Sequence, residues 1–167
     1  MDIITTLKEL ESGKEFKEWQ KSHKEHYLVH AFKLLDEPNK NIWQIGYYDK
    51  SSDTITTFVV ESGKDTKIIP DLEVFKEEKH PIKELDVKKV KVNPQQALDT
   101  AATFLKKEFP AESPIKTILI LQSIEQGHVY NISFITRSMS TINIKISSED
   151  GSVVEHHKFS LNDLKAR

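Results

Sequence analysis

Seven histidines are the first residues to weigh, because imidazole can serve as a general base or a metal ligand near neutral pH. The densest group is His23, His26 and His30. It straddles the point where a helix-like pattern gives way to a strand-like one, so its spacing does not fix a common face. The H-E-x-x-H string of helical zinc sites is missing. His156 and His157 are adjacent in a strand-like segment and therefore point to opposite faces. Serine chemistry fares no better. G-x-S-x-G is absent, and the one S-x-x-K, Ser113-Pro114-Ile115-Lys116, carries a proline that breaks the helical turn this motif needs. No glycine-rich loop could cradle a phosphate. The carboxylate pairs Glu77-Glu78 and Glu149-Asp150 fall in segments read as connector and turn. With no cysteine, thiol nucleophiles, disulfides and thiolate metal sites are all excluded. The expectation is a protein that is not an enzyme, with no catalytic residues, no metal and no cofactor.

Aromatic side chains are the other candidates. Trp43, Tyr47 and Tyr48 fall together, and Tyr130 and Phe134 stand 87 residues beyond Trp43 and Tyr47. An even separation puts residues 43 and 47 on one face of a strand. That face is either core beneath a helix or an exposed groove for a peptide or small ligand. Trp43, Tyr47, Tyr48 and Tyr130 are accordingly the candidate ligand- or partner-binding residues.

The elements that must position these residues follow from composition and pattern. The chain has 167 residues, 24 Lys plus Arg against 26 Asp plus Glu, and 37% hydrophobic residues. A net charge of −2 lacks the concentrated basic face that nucleic acid requires. Residues 1–86 carry 13 basic and 18 acidic side chains, net −5, and residues 87–167 carry 11 and 8, net +3. No apolar run is long enough to span a bilayer, and Met1 to Glu9 lacks a cationic start and apolar h-region. The expectation is a soluble, cytoplasmic protein without nucleic-acid or membrane partners, or a secreted one if a leader was removed.

Residues 28–55 align without gaps on residues 115–142. Leu34, Ile45, Ser51, Thr54 and Ile55 match identical residues, and apolar, polar and aromatic classes agree along most of the stretch. Ser12-Gly13-Lys14-Glu15 reads as a capping box starting one helix. Asn93-Pro94-Gln95-Gln96 reads as the start of another, with Ala97, Leu98, Ala101, Ala102, Leu105 and Phe109 as its apolar stripe. Strand-like segments follow each helix, at 27–35, 42–48, 54–60 and 68–75, then at 115–122, 129–136, 141–146 and 153–159. Val87 to Val92 reads as a short edge strand guarded by lysines. The predicted architecture is α+β: two tandem units, each a helix packed on a three- to four-stranded antiparallel sheet, spanning 1–76 and 87–167 with a connector at 77–86.

The second unit resembles the PepSY domain. The residues that carry the likeness are Asn93 to Leu105 (with Ala97-Leu98 and Ala101), Val129-Tyr130-Asn131-Ile132, and Glu149-Asp150-Gly151-Ser152-Val153-Val154. It covers residues 87–161, and the first unit looks like a diverged relative; such helix-on-sheet units are also similar to the cystatin fold. The resemblance implies a domain that inhibits or chaperones a peptidase. The Q-x-V-x-G loop by which cystatin-like inhibitors block cysteine proteases is absent. The functional expectation is a non-enzymatic module binding a protein partner, by resemblance a peptidase, or an extended peptide along a sheet edge. The alternative is a small-ligand domain with a pocket between helix and sheet. Oligomeric state is not legible.

Overall fold

The computed structural model describes residues 2–73 and 81–160. Asp2 accepts a hydrogen bond from the Thr5 N–H (3.3 Å) and caps α1 (Ile3–Ser12), whose Ile3, Leu7 and Leu10 are buried. This helix is already complete at Ser12, so the expected capping box there does not form. Ser12 Oγ donates instead to the Glu9 carbonyl (3.0 Å). Gly13, with φ −66° and ψ 150°, ends α1 and begins α2 (Lys14–Ser22) in extended backbone. The Asn93 box does form: Asn93 Oδ1 accepts from the Gln96 N–H (2.9 Å), and Gln96 Oε1 accepts from the Asn93 N–H (3.0 Å). It opens α3 (Pro94–Glu108).

The strands are β1 (Tyr27–Leu34), β2 (Ile42–Asp49), β3 (Thr54–Glu61), β4 (Lys67–Glu73), β5 (Pro114–Ile124), β6 (Gly127–Thr136), β7 (Ser140–Ser147) and β8 (Val153–Ser160). The offset of 87 that aligns the sequence also lays β1 to β4 over β5 to β8. The expectation of two separate helix-on-sheet units is nevertheless corrected. All eight strands form one antiparallel sheet in the order β4-β3-β2-β1-β5-β6-β7-β8, and among the described residues there are three α-helices, two before β1 and one before β5. The joint is β1 against β5, with His30 opposite Gln122, Phe32 opposite Ile120 and Leu34 opposite Ile118. Two separate sheets would leave both of these apolar strands with unpaired N–H and C=O groups, and joining them removes two of four edges.

Val87 to Val92 is corrected as well. It is not an edge strand: Val87–Lys89 form a 3-10 turn capped by Asp86, which accepts from the Lys88 N–H (3.1 Å). Past the turn, the Lys91 and Val92 N–H groups both donate to the Ser148 carbonyl (2.8 and 2.9 Å). The connector expected at 77–86 lies partly outside the described residues, and its last residues pack on the sheet.

One continuous core lies between the three helices and one face of the sheet. Trp43, Ile45 and Phe58 from one half join Leu121, Tyr130, Ile132 and Ile144 from the other, beneath Leu7, Phe16 and Leu105. On the opposite face the His30 ring packs against Gly46. A Cβ at residue 46 would sit 2.4 to 2.9 Å from three ring atoms, so only glycine fits while His30 keeps its place. Gly46→Ala should therefore destabilise the protein by about 1–3 kcal/mol, the range for overpacking a tight interior. In chemical denaturation the added cost should largely vanish in a His30→Ala background. An undiminished cost there would mean the ring is not what excludes the methyl.

Candidate functional site

The expected aromatic residues are all buried. Trp43 and Tyr130 are wholly enclosed, and Tyr47 and Tyr48 nearly so, so none offers a ring to a groove in this structure. Trp43, Tyr47 and Tyr130 belong to the core beneath the helices. Tyr130 donates its hydroxyl proton to the Val92 carbonyl (2.7 Å), and burial raises its pKa. Tyr47 is raised too, by burial first and then by Glu11, which accepts its hydroxyl proton (3.4 Å). Tyr48 packs against Tyr27 with ring centroids 5.5 Å apart and donates to Asp53 (2.6 Å).

Histidine geometry argues for packing at one site and surface pairing at the other. His23 stacks on Trp19 (4.7 Å between centroids) with its Nδ1 against the Trp19 carbonyl (2.6 Å), a contact that fixes a proton on that nitrogen. His156 and His157 do point to opposite faces. His156 lies against Phe104 (4.9 Å), and His157 meets Glu155. Among the described residues no three histidine or carboxylate side chains gather as metal ligands.

The feature with binding geometry was not among the sequence candidates: β8 and the flank of α3 beside it. Eight strands leave two outer edges, β4 and β8. β4 carries Lys67 and Pro70, residue types that blunt an edge. β8 has neither proline nor glycine, and it exposes Val154 near one end and Phe159, 62% accessible, near the other. Its charges are neutralised from within. Lys145 Nζ donates to Glu155 (2.8 Å), and Lys158 Nζ donates to Glu112 (2.5 Å). Glu155 is held down to about 2 by Lys145 and then His157, and Glu112 to about 2 by Lys158 and then Ser138.

Between α3 and the start of β8 lies a groove of about 440 Å³, lined by Asp99, Thr100, Thr103, Phe104, Lys107 and Val153. The inner stripe of α3, Ala97, Ala101 and Leu105, is buried on the sheet. Phe104 lies off that stripe, so its half-buried ring forms the groove floor. Thr100 and Thr103 donate their hydroxyl protons to Gln96 O (3.0 Å) and Asp99 O (2.8 Å). Their polar atoms are thereby satisfied within the helix, which makes the groove more apolar than its sequence suggests. A wider depression of about 650 Å³ lies by the β5–β6 turn, lined by Lys83, Ser123, Gln126, Lys145 and Glu155. Pro81 and Ile124 also line it, so its surface is mixed, and the Lys145–Glu155 pair cancels within it.

The Glu112 contacts set an acid limit on this region. Its carboxyl is depressed from 4.5 to about 2 in the folded chain, so it stabilises the fold above the ordinary carboxylate value. That contribution fades as pH falls from about 4.5 towards 2. Stability measured against pH in Glu112→Gln should lose this part of the acid slope, and an unchanged slope would show that the pairing with Lys158 is not energetically linked.

No family model matches the chain, and no curated protein matches it significantly. Among solved structures, a crystal structure from Clostridium difficile 630, described as that of a candidate lipoprotein, is similar with a TM-score of 0.53. The match covers 87% of this chain and 90% of that one at 17% identity, a likeness that shows the fold alone.

Proposed function

We propose that the protein is a non-enzymatic binding module that takes an extended segment of a protein or peptide partner as a ninth strand on β8. The observation that carries this reading is an outer strand free of proline, with its charges paired, whose first residue lines a groove floored by Phe104. Strand addition draws affinity from main-chain hydrogen bonds and selectivity from pockets that receive alternate side chains. Here the edge supplies the first and the Phe104–Val153 groove the second. The resemblance of residues 87–161 to the PepSY domain supports a segment of a peptidase as the partner. The small-ligand alternative has less to support it, because Trp43, Phe58, Tyr130 and Ile132 occupy the space between helices and sheet. For location, no helix among the described residues is long and apolar enough to cross a membrane. The neighbour's description as a candidate lipoprotein favours an extracytoplasmic setting over the cytoplasmic one read from the sequence.

A proline scan from Val154 to Phe159 tests the reading with a library of extended peptides of alternating apolar and polar residues. Along an edge strand every second N–H bonds the neighbouring strand and the others face outward. Prolines of the first class should lower thermal stability. Those of the second should leave the fold intact and weaken peptide binding at least tenfold, about 1.4 kcal/mol. Phe104→Lys should weaken it comparably while circular dichroism stays native. Absence of binding across the library, or binding indifferent to both outward prolines and Phe104→Lys, would overturn the proposal.

A further inference from the structure

Residues 82–86 cross the end of the sheet from one half to the other. At one end the Ile82 carbonyl accepts from the Tyr27 hydroxyl (3.3 Å). In the middle the Leu85 N–H donates to the Leu28 carbonyl (2.8 Å), and the Leu85 side chain is buried in the core. At the far end the Asp86 N–H donates to Nε2 of His128, at the start of β6 (2.9 Å). Two of these bonds end on β1 in the first half, and the third ends on a side chain in the second. Between this strap and the sheet lies a cavity of about 250 Å³, lined by Val29, His30, Ile55, Gln122 and Ser123.

The last bond differs in kind from the others. A backbone amide is an obligatory donor, so Nε2 accepts from it only with its lone pair free, which places the imidazole proton on Nδ1. Protonation turns Nε2 into a donor, and two N–H groups then face each other. We propose that residues 82–86 form a pH-sensitive strap, latched to the sheet by neutral His128 and released when His128 takes up a proton. This goes beyond the strand-addition reading and does not depend on it.

The surroundings of His128 support the latch. Its half-buried ring favours the neutral form, chiefly through burial and secondarily through Lys89 on the turn after the strap. Asp86 and Glu149, from the strap and from the turn before β8, pull the other way. The balance lowers the pKa from 6.5 while the strap is closed. With the strap open the ring returns towards 6.5, so release is coupled to proton uptake as pH falls below about 6.5. His30 also lies beneath the strap, but its ring is packed on Gly46 and no hydrogen bond joins it to residues 82–86.

Amide hydrogen exchange of Leu85 and Asp86, followed by NMR from pH 8 to 5 and corrected for intrinsic rates, tests the latch. Protection at Asp86 should fall severalfold, up to about tenfold for a single proton, between pH 7.5 and 5.5, with Leu85 following, while amides in the centre of β6 hold theirs. His128→Gln supplies a carbonyl acceptor at every pH and should flatten the dependence; His30→Gln should leave it in place. Direct nitrogen spectra of His128 give a reading that needs no variant: the Nδ1–H tautomer is expected at pH 8. The Nε2–H tautomer there, protection at Asp86 that ignores pH, or an equal fall in His128→Gln would each overturn the proposal.

Discussion

The antiparallel pairing of β1 with β5 is the contact on which the rest of the structure depends. Each strand belongs to its own four-stranded run, and each would be an open edge if the runs stood apart. A central strand is bonded on both sides, and the composition of these two suits that position. Phe32 lies opposite Ile120, Leu34 opposite Ile118, and Ala31 opposite Leu121, so apolar side chains meet across the seam on both faces. Burying them in one sheet removes apolar area from water and satisfies the ladder in the same step.

From that seam follows the asymmetry between the two faces. The helices gather on one side over a single core, where residues from both halves interlock. The other side keeps a mixed surface with its own polar order: Asn143 Nδ2 donates to Ser133 (2.9 Å) and also meets Asn131, and Lys145 pairs with Glu155. Only two edges remain, and they are not equivalent. Lys67 and Pro70 discourage addition at β4, whereas β8 pairs its charges with neighbours and sits beside a helix flank floored by Phe104. Joining the sheet at its centre therefore leaves β4 and β8 as its outer strands.

Much of this was legible locally. Strand periods, the turn at Asp150-Gly151 (where Gly151 has φ +78°) and the capping box at Asn93 depend on neighbours a few residues apart, and each stands where the pattern put it. The failures share a cause. Ser12 has the residues of a box, but burial of Ile3, Leu7 and Leu10 starts the helix at Asp2, ahead of it. Val87 to Val92 alternates like a strand, yet the Asp86 cap and the Ser148 carbonyl claim its amides. The aromatic residues were open to two readings because period alone shows that a face is apolar, not what covers it.

Sequence alone determined the eight main strands, the helix at Asn93 and the correspondence between the halves, because helix and strand periods are set by backbone geometry within a few residues. Tertiary structure decided that the halves share one sheet, that the aromatic cluster is core and that β4 and β8 are the outer strands. Those outcomes turn on which strand edges find partners far along the chain, and a strand's side-chain pattern records its two faces but not its two edges.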